Sequence, residues 1–145
     1  MEQRVNIEKT LPEAYKTMIS LSGVVGKAGL SAIQKHLIKV RVSQINSCAY
    51  CINMHTLEAL KAGETQQRLF VLSAWRETDL FTAEEKALLA LAEEVTLIHA
   101  QGISDNVYRE ASQFFSEERI AEIIMSAIVM SSWNRIAISG HMPIG

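Results

Sequence analysis

Ser47-Cys48-Ala49-Tyr50-Cys51-Ile52-Asn53-Met54-His55 holds both cysteines of the chain and one of its four histidines. Read as an α-helix, where each residue advances about 100°, this stretch places Cys48, Cys51 and His55 within about 60° of one another on one face. Cysteines three apart on a helix are separated by about 5 Å between Cα atoms, within the reach of a disulfide. His55 lies one turn beyond Cys51, where its imidazole can take the thiol proton or stabilise the thiolate. The helical reading makes the three residues a single unit of redox chemistry.

Outward from this stretch the chain continues to read as helices. Ser31 followed by Gln34 is a capping-box pattern, and Ile33, Leu37, Val40 and Ile45 follow at helical spacing. Thr82 and Glu85 repeat the pattern and open a helix with Ala87, Leu88, Leu91, Ala92, Val95 and Ile98 on one face, closed near Gly102. Ser104 and Ser116 can each cap a further helix, and Phe115 with Ile120 has the spacing of a hydrophobic staple. The last helix runs from about Glu117 to Ile138. Pro12 suits the first turn of a helix reaching about Val25, and the CxxC helix starts at Ser47 and ends before Gly63. A shorter helix lies around Gln66 to Ala74. No segment carries sustained strand-like alternation with hairpin turn signals. About seven helices with short links predict an all-α fold, with residues 1–145 as one domain.

Composition narrows the function classes. The chain has 145 residues, of which 48% are hydrophobic and 21% charged, with a formal net charge of −2. That apolar share exceeds what a lone helical domain needs, and the surplus predicts a homo-oligomer. Lysine and arginine are scattered, so no basic stripe for nucleic acid exists. The opening Met-Glu-Gln-Arg-Val-Asn lacks the apolar run of a secretory signal. The longest membrane-span candidate, Ile120 to Ile138, is interrupted by Glu122, Ser126, Ser131, Ser132, Asn134 and Arg135. These features predict a cytoplasmic protein that neither spans a membrane nor binds nucleic acid. In that compartment a CxxC pair points to catalysis or metal binding before a structural staple.

A free cysteine titrates near pH 8.5, so about 3% is thiolate at pH 7. Lowering that value to about 6.5 makes most of it thiolate, a change of about 2.7 kcal/mol. The helix start near Ser47 and the imidazole of His55 are the two available means. Cys51 lies one turn from His55 and is assigned as the attacking thiolate, with Cys48 as its resolving partner. Attack on a peroxide gives a sulfenic acid on Cys51, Cys48 condenses it to a disulfide, and an external dithiol restores both thiols. Tyr50 can donate a hydrogen bond to a bound peroxide or pack against a neighbouring helix. The competing readings are a zinc site of Cys48, Cys51, His55 and His36, and a pair of inert core cysteines. Haem attachment is excluded, because Ile52 rather than histidine follows Cys51. The redox reading calls for no cofactor and no metal. Trp75 and Trp133 read as core or interface anchors, His99 as a helix C-terminal cation, and His141 as a tail residue.

The segment Ile38 to Ala62, with Arg41-Val42-Ser43-Gln44-Ile45-Asn46-Ser47-Cys48-Ala49-Tyr50-Cys51 and then His55, resembles the core of the AhpD-like alkylhydroperoxidases of the carboxymuconolactone decarboxylase superfamily. The similarity extends through Gly63-Glu64-Thr65, Ala74-Trp75-Arg76-Glu77-Thr78 and Phe81-Thr82 to Trp133-Asn134-Arg135. The resemblance implies an AhpD-like helical domain, assembly into trimers or hexamers, and thiol-dependent hydroperoxide reduction with a dithiol or thioredoxin-like electron donor. It also implies that the second cysteine, Cys51, is the peroxidatic one. The decarboxylase branch generally lacks the CxxC pair, so the resemblance does not favour decarboxylation. One departure stands out. The family carries a glutamate twelve residues before the first cysteine, in a proton relay with the histidine, and here that position is His36. Tyr50 stands where the founding branch has a second histidine. The resemblance therefore implies an altered relay, with His36 as the partner of His55. A non-enzymatic redox sensor or binding protein using the same pair is the alternative, separated from a peroxidase by multiple turnover.

The apolar surplus yields a test of its own. Light scattering at micromolar concentration should give a multiple of 16.1 kDa, three or six being the multiples the resemblance implies; a clean monomer mass would sink the expectation.

Overall fold

The computed structural model describes residues 2–144, and every element among them is helical. Nine α-helices follow one another: α1 (Ile7–Thr10), α2 (Pro12–Gly26), α3 (Ala32–Ile45), α4 (Ala49–Lys61), α5 (Gln66–Val71), α6 (Ala83–Thr96), α7 (Ile98–Gln101), α8 (Asp105–Phe114) and α9 (Glu117–Gly140). A 3-10 helix, Leu72–Glu77, lies between α5 and α6. The helices beyond those anticipated, α1 and α7, are each of four residues.

Local signals act where they were read. Ser31 and Gln34 form a reciprocal capping box, as do Thr82 and Glu85. Ser104 and Ser116 accept from the backbone N–H groups of Val107 and Arg119. The segment from Thr82 to Gly102 is not one helix, however. It breaks at Leu97, and Glu94 turns its carboxylate to the backbone N–H and hydroxyl of Ser104, drawing the chain back towards α8. Gly102 closes α7 at φ 73°, a left-handed value that glycine adopts without strain.

The core forms where α3, α6 and α9 pack on one another, with α4 on α3 and α8 on α6. Ala87 through Glu93 are all buried, so α6 is enclosed on every side rather than along one stripe. Its buried Glu93 accepts from Arg41 Nε at 2.7 Å and Trp75 Nε1 at 2.8 Å, and also from Arg76. A buried carboxylate is tolerable only with such partners. By length and composition α9 could cross a membrane. Here it packs against α2, α3, α4, α6 and α8, and its buried Glu122 and Asn134 are both hydrogen-bonded.

The turn joining α3 to α4 positions the cysteines. Ser47 adopts φ 55°, and the backbone N–H of Cys48 returns to Ser43 O at 3.0 Å. The helix therefore begins one residue past Cys48, not at Ser47. Cys48 is the N-cap, and its sulfur accepts from Cys51 N at 3.4 Å. Fully buried Asn134 of α9 ties this turn to the core: its Nδ2 donates to Ser43 Oγ at 3.0 Å and its Oδ1 accepts from Asn46 Nδ2 at 3.0 Å. Asn134→Ala removes both bonds and strands the buried Ser43 hydroxyl, while Asn46 keeps Ser131 Oγ at 3.3 Å; it should cost about 1–3 kcal/mol in urea unfolding. A loss below about 1 kcal/mol would mean that the turn holds without α9.

Candidate active site

The sulfurs of Cys48 and Cys51 lie at disulfide-bonding distance, with Cα atoms 5.3 Å apart. Both cysteines are buried. They differ in what they face: Cys51 borders a cavity of about 630 Å³, and Cys48 does not. That volume is within the range of small-molecule sites. The cavity lies between α2, α3, α4 and α9, and Tyr50, Met54, His55, Met130 and Trp133 are on its walls. Cys48 caps α4 and Cys51 sits in its opening turn, where the N–H groups of the helix start favour negative charge on sulfur.

His55 is buried one turn beyond Cys51, and its Nδ1 is 2.8 Å from Glu58 Oε2. When Glu58 accepts from Nδ1–H, the imidazole lone pair is on Nε2, the form that serves as a proton acceptor. Burial pushes His55 below the ordinary histidine range; the hydrogen bond and charge of Glu58 oppose it, and Lys39 and His36 add to it. Burial pushes Glu58 up, but its hydrogen bond to His55 and the nearby charges of His55, Lys39 and His36 outweigh that, leaving its carboxyl low.

Glu58, and not His36, is the hydrogen-bond partner of the His55 ring. His36 borders the cavity, but its Nδ1 is buried with no hydrogen-bond partner, so it does not orient the His55 ring. The carboxylate comes from α4 itself, three residues after His55. Spacing alone could have suggested it, since residues i and i+3 on a helix are neighbours. Lys39, one turn beyond His36 on α3, is a second cavity residue that sequence reasoning passed over.

The remaining candidates are distributed as follows. Tyr50 is half-buried on the cavity wall. Trp75 is a core residue bonded to Glu93, whereas Trp133 lines the cavity, with its Nε1 donating to Ser22 Oγ at 2.7 Å. His99 is exposed on α7. His141 ends α9 in a left-handed conformation, its Nδ1 3.0 Å from the backbone oxygen of Glu2. With the cysteines paired and His55 held by Glu58, the four-residue zinc set is not assembled. Among the described residues no three His, Cys, Asp or Glu side chains are grouped to hold a metal ion.

The model of the carboxymuconolactone decarboxylase family matches residues 12–94, which span α2 to most of α6 and include the whole cysteine–histidine unit. The chain belongs to this family. It is 40% identical over 139 residues to the uncharacterised protein YdfG of Bacillus subtilis, covering 96% of this chain and 95% of YdfG. A solved structure from Agrobacterium tumefaciens, a protein of unknown function assigned there to AhpD antioxidant defence without established activity, superposes with a TM-score of 0.96 at 35% identity, covering 99% of each chain. These matches make it an AhpD-like family member. The debrominase Bmp8 shares the fold, with a TM-score of 0.79 at 17% identity over 92% of this chain and 72% of that one. The AhpD-like fold thus includes enzymes of more than one chemistry.

Both His36 and His55 are held below the ordinary histidine value of 6.5. A histidine kept neutral by burial binds fewer protons folded than unfolded, so stability falls as pH drops below about 6.5. Glu58 acts in the same direction at lower pH, because the stability from its lowered carboxyl is lost on protonation. The urea midpoint should decline from pH 7.5 to pH 5.5, and His55→Gln should shallow that decline. A flat wild-type profile would show that neither ring is kept neutral by the fold.

Proposed function

We propose that this chain is a thiol-dependent hydroperoxide reductase in which Cys51 is the peroxidatic cysteine and Cys48 the resolving one. The observation that carries this reading is the asymmetry of the pair: two sulfurs at bonding distance, of which only Cys51 faces the cavity. Substrate reaches one sulfur, and the other waits behind it.

His55 takes the Cys51 proton, and the thiolate attacks the terminal oxygen of the hydroperoxide. The O–O bond breaks, and the leaving alkoxide recovers the proton from His55 as the alcohol, leaving a sulfenic acid on Cys51. Cys48 sulfur then attacks Cys51 sulfur; the S–O bond breaks, and hydroxide leaves with the Cys48 proton as water. An external dithiol reduces the resulting disulfide by exchange and is itself oxidised. Glu58 makes His55 a stronger base by stabilising the imidazolium that forms. Tyr50, on the same cavity wall, is the candidate donor to the bound peroxide. The chemistry uses side chains alone.

A donor-coupled assay tests the reading. Multiple turnovers of hydroperoxide per protein should be seen with a dithiol donor, none with Cys51→Ser, and one equivalent consumed by Cys48→Ser, whose sulfenic acid a dimedone-type reagent traps on Cys51. Wild type that oxidises once and is not recycled by any dithiol would make the pair a sensor. Glu58→Gln should slow iodoacetamide alkylation of reduced Cys51 at pH 7 by about tenfold, matching the loss of one charge-assisted hydrogen bond. An equal rate would remove Glu58 from the relay.

A further inference from the structure

The polar groups of the cavity are unevenly placed. Its α2 and α9 walls are largely apolar, with Ile19, Val129 and Met130 among them, whereas α3 contributes Lys35, His36 and Lys39. Lys35 is committed within the fold: its Nζ donates to the carbonyls of Gly26 at 2.9 Å and Ala28 at 2.6 Å, closing the α2–α3 connection. Lys39, one turn along the same face, makes no hydrogen bond or ion pair among the described residues. Glu58, the carboxylate in its electrostatic reach, is already held by His55. Three residues before Lys39, the Nδ1 of His36 is buried without a partner.

An unpaired ammonium at one side of an apolar cavity calls for an anionic partner. A carboxylate supplies it through charge-assisted hydrogen bonds. An alcohol of the same shape offers Lys39 only a neutral acceptor, which builds a preference for the anion into the site.

We propose that the cavity binds amphipathic carboxylates, with the carboxylate at Lys39 and the apolar body along α2 and α9. Its catalytic consequence rests on the peroxidase reading: the preferred substrates are hydroperoxides bearing a carboxylate, held by that group while Cys51 attacks the terminal oxygen. The O–O bond breaks as written above, the carboxylate-bearing alcohol leaves, and the carboxylate itself is unchanged.

Calorimetric titration of the full chain with decanoate, decanol and decylammonium tests the binding assignment without any turnover. Decanoate should bind about tenfold tighter than decanol, the effect of one charge-assisted contact. Lys39→Met should erase that difference, Lys39→Arg should keep it, and Lys39→Glu should shift preference to decylammonium, with circular dichroism confirming the helical fold of each variant. Equal binding of decanoate and decanol, binding of neither, or a decanoate preference that survives Lys39→Met and Lys39→Glu overturns the assignment. Turnover is read separately with a fatty-acid hydroperoxide and its methyl ester, the acid being favoured in kcat/KM. Decanoate binding that depends on Lys39, with no turnover of either hydroperoxide, sustains the site and fails the peroxidase reading. Turnover of both without a decanoate preference does the reverse.

Discussion

The left-handed turn at Ser47 is the constraint on which the rest of the site depends. A non-glycine residue at φ 55° is held there by its surroundings. Those surroundings are the return of Cys48 N to Ser43 O and the buried side chain of Asn134, which reaches Ser43 and Asn46 from a helix almost ninety residues away in sequence. The turn stops α3, starts α4 and makes Cys48 the cap. Helix N-caps are usually oxygen acceptors; here a sulfur takes that role and also lies at bonding distance from Cys51 sulfur. Any change in the bonding of Cys48 is therefore felt at the first turn of α4, where Cys51 resides.

The relay shows how one chemical requirement can be met from different places. His55 needs an acceptor on Nδ1 so that Nε2 is free, and burial alone weakens it as a base. A carboxylate offsets that weakening whichever helix supplies it. Glu58 does so from within α4, where the spacing of a single turn fixes the geometry with no help from tertiary packing. That leaves His36 bordering the cavity with its Nδ1 buried and without a partner.

Around this centre, buried carboxylates tie helices and their connections to one another. Glu93 gathers Arg41, Trp75 and Arg76. Arg68 joins Glu64 to Glu85 and stacks over Phe81, fixing the end of α4 to the start of α6. Glu122 takes the backbone N–H of Leu30 and the guanidinium of Arg119. Removing the shared Glu93 leaves the largely buried Arg41 without its carboxylate, a larger loss than the pair itself contributes.

Helix class, cap positions and the cysteine–histidine unit were legible in the sequence because each rests on contacts between residues three or four apart. Ser31 with Gln34, Thr82 with Glu85, and Cys48 with Cys51 are pairs of this kind, and so is His55 with Glu58, although its spacing is common among solvated pairs and did not single it out. The break at Leu97, the enclosure of α6 and the place of Cys48 outside its helix were not legible. Each depends on a group brought from far along the chain: Ser104 for Glu94, the surrounding helices for α6, and Asn134 for the Ser47 turn. The cavity belongs to the same class. The sequence by itself determined which atoms could do redox chemistry, since a helical period is a local property of the backbone. Only the tertiary structure decided which sulfur faces the cavity and which cation on its wall is left unpaired, because both depend on α2 and α9 closing over α3 and α4, and that packing follows from burial shared across the whole chain.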